Sequence, residues 1–310
     1  GMGAGALVYD VPVILTDEGE VTRESEQPLT FNAGFTAPNA TSFYATGPLT
    51  VSGEVKAGRT TNQWQWRFGS ISNTLTIANV TYRGVGVTFR AGDLTLRVKG
   101  HNDFSGAMYG FNNETQHPTN IVTAVDGEAA TIKFASARNL GTFPFRIGEN
   151  VTVKLAGEFR VTESTQLWVD GVLDAEAFNI QGNMDPKLYG AGTLKIGYYG
   201  SFDNSWPYFG ISNLVVTTKH FWRSNKTSSK GYNGILFDGD EVHISSTCDW
   251  EIPPKDQFGY NTFFLSNNRT GRVKVVFEGP HNVSFAPTYT AGTLSSTAFN
   301  NAWDLQMAGT

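Results

Sequence analysis

The sequence predicts an all-β protein, a sandwich or barrel of short strands followed by a smaller β domain, and three observations predict it. Hydrophobic residues make up 40% of the chain, aromatics 13% and charged residues only 16%, with 34 Gly, so Ser, Thr, Asn and Gly must cover much of the surface. That profile suits strands and turns. Short runs of alternating apolar and polar residues, each closed by Gly, Asn or Asp, recur at roughly 8 to 12 residue intervals, which is the pattern of a sandwich or barrel. Nothing between Pro28 and Lys99 shows a helical period. At 310 residues the chain exceeds the usual single domain, which suggests one large domain and one small one.

Taken in order, residues 1–27 read as an amino-terminal arm: an apolar patch, LVYDVPVIL, that pairs with a neighbouring strand or subunit, then an acidic connector, TDEGEVTRESEQ. From Pro28 the strand runs begin, among them LTFNAGF, LTVSGEVKAG, QWQWRFGS and NTLTIANVTYRG. Residues 100–128 interrupt them with Gly, Asn, His and aromatics and read as a binding loop on a rigid scaffold. Strands resume at ATIKFAS and close near Trp222, and residues 223–232 form a polar linker. Residues 233–310 alternate again, as a small β domain that gains from association with copies of itself.

A formal net charge of −5 without a dense Lys/Arg cluster argues against nucleic acid and membrane surfaces as partners. No apolar run reaches the roughly 18 residues that span a bilayer, so membrane insertion is not expected. The segment GMGAGAL lacks the features of a secretory signal. Cys248 is the single cysteine, which excludes an intramolecular disulfide framework and a thiolate metal cluster. The Asn-x-Ser/Thr triplets, Asn79 and Asn150 among them, are read as polar turns.

The stretch VTVKLAGEFRVTESTQLWVDGVL, then TLKIG and YFGISNLVV, resembles the carboxy-terminal half of concanavalin-A-like or laminin-G-like jelly rolls, and LTVSGEVKAG resembles an early strand of that family. The likeness covers about residues 28–222 and implies two packed antiparallel sheets. Asp170-Gly171 then reads as a type I' hairpin, with Leu167, Val169, Val172 and Leu194 on a shared face. RVKVVFEGPHNVSFAPTYTAGTLSSTAFNNAWDLQM is loosely similar to the end modules of bacteriophage fibres.

No catalytic motif accompanies these features. The paired acids of a retaining glycosidase, E-x-D-x-x-E on one strand face, are missing, and Asp170, Asp174 and Glu176 fall in a turn and the following loop. The histidines show neither H-E-x-x-H nor a neighbouring G-x-S-x-G. The aromatic stretch GYYGSFDNSWPYFG supplies the chemistry for stacking on a sugar, with Trp206, Tyr208 and Tyr199 as rings and Asp203 and Asn204 to hold hydroxyls. Trp64 and Trp66 form a second candidate platform, and His117 a loop contact. Asp103 with Asn102 offers oxygen ligands for calcium, although Asp and Asn favour turns for their own sake; otherwise no cofactor is expected.

The resemblances imply a non-enzymatic recognition or adhesion protein on a virion surface, a phage tail fibre, spike or head fibre. Its lectin-like domain would bind a surface glycan, other virion proteins would be its neighbours, and a homotrimer is favoured. A secreted carbohydrate-binding module or glycosidase-related enzyme with facing acids, such as Glu158 and Asp170, is one alternative. A purely structural capsid-decorating protein is the other.

Overall fold

A computed structural model describes residues 5–57, 65–111, 119–137, 145–161, 166–180, 187–201, 208–220, 222–224, 235–237, 240–252, 263–264, 274–285 and 304–308. The chain divides into two units, Gly1–Ala156 and Gly157–Thr310. Each is a parallel β-solenoid.

In the first unit the chain coils through successive rungs. The first holds β1 (Leu7–Tyr9), β2 (Val13–Ile14) and β3 (Gly19–Arg23); the second β4 (Leu29–Phe31), β5 (Gly34–Ala37) and β6 (Ala40–Ala45). The third has β7 (Leu49–Ala57) and β8 (Gln65–Ser70), the fourth β9 (Leu75–Arg83) and β10 (Gly86–Arg90). The fifth has β11 (Thr95–Lys99), β12 (His101–Phe104) and β13 (Met108–Phe111), and the sixth β14 (Asn120–Ala124) and β15 (Ala130–Phe134). β16 (Phe145–Ile147) and the start of β17 (Val151–Val161) follow.

Each strand pairs in parallel with its counterpart one rung away, and one ladder runs Leu7, Leu29, Leu49, Leu75, Leu96, Val122, Ile147. Because side chains alternate across a strand, in-register residues share a face and stack. A second ladder joins Val21, Phe43, Phe68 and Phe89. A third passes from Phe35 through Val55 and Tyr82 to Phe104. All of these beyond the first rung are buried, and they make one continuous apolar core along the unit. Phe35 illustrates its density, with rings of Phe31, Phe43, Trp66 and Phe68 at 5.0, 5.3, 6.1 and 6.2 Å.

The corners use the turn chemistry expected of Asn and Gly. Asn79 sits at φ 54° and its Oδ1 accepts from the His101 amide at 3.0 Å. Asn102, one rung on, accepts from the Val80 amide at 3.0 Å and donates to the Lys99 and Thr131 carbonyls at 3.1 and 3.3 Å. Gly34 turns a corner at φ +79°, where a Cβ would fall 1.9 Å from the Glu54 carbonyl oxygen.

The second unit contains β18 (Gln166–Val169), β19 (Val172–Ile180), β20 (Lys187–Ser201), β21 (Tyr208–Val216), β22 (Trp222–Ser224), β23 (Ile235–Phe237), β24 (Glu241–Ser246), β25 (Trp250–Ile252), β26 (Phe263–Phe264), β27 (Lys274–Glu278), β28 (Val283–Phe285) and β29 (Asp304–Ala308). Its main ladder joins Leu173, Leu194, Leu214, Ile244, Phe277 and Met307 in parallel register. β25 and β28 form a separate parallel pair.

The expected antiparallel jelly roll is therefore overturned. Asp170-Gly171 is no hairpin: β18 pairs Gln166 with Lys187 and β19 pairs Val172 with Thr193, so both run the same way along β20 and the dipeptide is a corner between them. Leu167, Val169 and Leu194 are buried as alternation requires, but within a solenoid. The residues expected as an amino-terminal arm supply the first rung.

Candidate functional site

Much of the expected ligand site lies outside the described residues: Trp206, Asp203, Asn204, Trp64 and His117. The backbone of Tyr199 is in register with Phe178 and Trp222. Tyr208 is half-buried, in register with Lys187, while its neighbour Phe209 packs inside against Phe237 at 5.7 Å. Trp66 is only 1% exposed and stacks on Phe68 and Tyr82, so it offers no outward platform. Its alternation points it into the core, where it closes the gap between two ladders.

The calcium pair is differently engaged. Asn102 is buried with its amide committed to three backbone bonds, and the Asp103 carboxylate lies between Arg83 at 3.0 Å and Lys133 at 3.7 Å on adjacent rungs. Among the described residues no three His, Cys, Asp or Glu side chains converge on a point that could hold a metal. Glu158 is bound by the Asn179 amide and by Arg160, and the Asp170 carboxylate accepts from the Ala191 amide at 3.4 Å. Arg160 balances the charge of Glu158, whereas Asp170 is met by a neutral backbone amide. A similar outward network surrounds His243, whose two ring nitrogens meet Glu241 and Glu278 while Lys274 also reaches Glu241. The Lys274 hydrogen bond holds the Glu241 carboxyl below its ordinary value.

One surface stands apart from this pattern of satisfied outward ladders. The large hydrophobic residues exposed among the described residues are Leu7, Val8, Val11 and Ile14, at 52, 48, 65 and 69%, and all four belong to the first rung. Leu7 occupies the inward position of its ladder, in register with buried Leu29, yet no described strand lies beyond it. Val8 and Ile14 are in register with Thr30 and Thr36, so the rung is apolar even where its neighbour presents threonine outward. At this end the core opens into a cavity of about 190 Å³. Leu15, Leu29, Phe31 and Ala45 supply apolar walls, and Arg23, Glu24, Ser25 and Gln27 a polar rim.

The backbone is open there too. The Leu7 amide donates to the Pro28 carbonyl, and the Tyr9 carbonyl accepts from the Asn32 amide. In a parallel ladder the intervening residue turns its polar groups the other way, so the Val8 N–H and C=O face away from β4, where no described strand lies. A cavity of this size compares with apolar voids of about 150 Å³ that admit a benzene-sized group, so it accepts one large side chain. Such an arrangement can bind another chain by strand addition and side-chain insertion.

Sequence reasoning placed an apolar patch here but treated it as an arm. The signal available was that Leu7, Val8 and Tyr9, and then Val13 and Ile14, are apolar on both faces with Val11 between them, whereas inner rungs alternate.

Comparison with protein-family models, with curated proteins and with solved structures found no match. The resemblances to lectin-like jelly rolls and to phage fibres thus fall with the sandwich, and nothing in the fold or the comparisons supports carbohydrate binding or a phage origin. Among the described residues no helix is long and apolar enough to cross a membrane.

Proposed function

We propose that the chain is a non-enzymatic recognition or adhesion protein that engages another macromolecule through the exposed apolar residues of its first rung. The observation that carries this reading is the concentration of exposed large hydrophobics on that rung, beside an open apolar cavity. Scattered exposed apolar residues need no explanation, but a contiguous group with unpaired strand edges favours association. Repeating rungs support it further, because solenoids present extended, stiff surfaces suited to binding.

Site-directed photocrosslinking tests the proposal in cells that make the protein. A benzophenone side chain at Val11 or Ile14 is expected to give covalent adducts with another protein. The same probe at Thr76, on an inner rung, is expected to give none. Equal labelling at all positions, or no adduct at Val11 and Ile14, would overturn the reading.

A further inference from the structure

We infer that the outer face of the five-stranded sheet in the first unit holds a tetrahedral oxyanion, a phosphate group or its sulfate analogue, between the guanidinium groups of Arg67 and Arg90. The site is independent of the attachment surface proposed above. β3, β6, β8, β10 and β13 build this sheet, and buried Phe43, Phe68 and Phe89 mark its inner side. Alternation therefore sends Ser42, Tyr44, Arg67 and Arg90 outward. Ser42 is in register with Arg67, and Tyr44 with Gly69 and then Arg90. The two arginines are thus one strand apart and two residues along, with their Cα atoms roughly 8 Å from each other.

Arg23, Arg83, Arg97 and Arg160 each meet a carboxylate at 3.0 Å or less. Among the described residues no carboxylate meets Arg67, which is exposed, or Arg90, which is half-buried. Glu20, an acid on the same face, is in register with Ser42 and so two strands from Arg67, roughly 10 Å. Like charges side by side on a sheet repel. Elsewhere the chain relieves such a pair, since Lys133 is in register with Lys154 and reaches Asp103 at 3.7 Å. For Arg67 and Arg90 a bound anion supplies that relief.

Two further features shape the place. The Arg90 guanidinium lies 5.3 Å from the Tyr44 ring centroid, across Gly69, so a cation–π contact holds it on the Arg67 side of its strand. Ser42 Oγ is buried without a hydrogen-bond partner, at 2% exposure for the residue, directly beside Arg67 in the ladder. An unsatisfied buried hydroxyl is costly, and an oxyanion accepts a hydrogen bond from it. Two forked donors and a hydroxyl suit a group with several acceptor oxygens.

Titration of the full chain with inorganic phosphate and with phenyl phosphate, at constant ionic strength and followed by phosphorus NMR and calorimetry, tests the inference. Saturable binding with Kd on the order of 1 mM or tighter is expected. Arg67→Gln and Arg90→Gln should each weaken it about tenfold, and Ser42→Ala about threefold. Lys154→Gln, which removes an exposed cation from another sheet, should leave it unchanged. In anion-free buffer Arg67→Gln should keep the circular dichroism spectrum and a denaturation midpoint no lower than the parent's, because it removes a repulsion. Binding of both probes supports recognition of the group itself, and binding of phenyl phosphate alone supports an oxyanion carried on an organic molecule. No saturable binding, equal losses in Arg67→Gln and Lys154→Gln, or undiminished binding by Ser42→Ala would overturn the inference.

Discussion

Asn102 satisfies the Val80 amide and two carbonyls at once from a buried corner, and no other residue type fits the position as well. An unsatisfied buried donor costs about 1–3 kcal/mol, so Asn102→Ala should lower stability by about 2 kcal/mol in urea denaturation. Added calcium or chelator should leave both proteins unchanged, because the amide works on the backbone; calcium-dependent stability would contradict this. Tyr82 poses the opposite problem. Its hydroxyl is buried without a hydrogen-bond partner among the described residues, and burial pushes its phenol well above the ordinary value of 10.0. The fold therefore keeps the proton that the unfolded chain releases. The associated stability is fully present below pH 10.0 and is lost as pH rises above that value. Tyr82→Phe should remove this alkaline loss while changing neutral-pH stability by less than about 1 kcal/mol, measured by denaturation at both pH values.

The element that matters most is the corner. Gly34 holds φ +79° with the Glu54 carbonyl against its Cα, and no side chain fits either constraint. Gly34→Ala should cost at least about 2 kcal/mol, from left-handed strain of about 1–2 kcal/mol plus displacement of the neighbouring rung. The same substitution at Gly5, with nothing within 4 Å, should cost little. Thermal denaturation of the two variants distinguishes these outcomes. Corners also explain why the sequence predicts a sandwich where the chain coils. Asp170-Gly171 ends one strand and begins another, as it would in a hairpin, but the residues themselves do not state whether the chain reverses or bends. Leu173 and Leu194 carry the missing information, being 21 positions apart and in register.

Across the whole molecule the rungs contact their neighbours and little else, so stability accumulates locally. Unfolding should depart from a single two-state transition, as expected for stacked repeats and for a chain of two units. Phe35→Ala should remove about 3–5 kcal/mol from the first unit, read as a lowered denaturation midpoint, and an unchanged midpoint would contradict its place in the core. The exposed ion pairs along the outward faces, such as Lys56 with Glu54 at 3.0 Å, should matter little to stability.

The all-β class, the alternation that buries Leu49, Val51, Val55 and Ile77, and the turn character of Asn79 and Asn150 were legible in the chain. The apolar character of LVYDVPVIL and the acidity that follows it were legible as well. Their exposure was not, since it depends on which strands lie beside them in space. Local sequence determined where strands form and which side of each is apolar, because a period of two and Gly or Asn breakers act through nearest neighbours. Only the tertiary structure decided that those strands run parallel, because pairing direction is set between residues 20 or more positions apart, where the same alternation serves reversal and coiling alike.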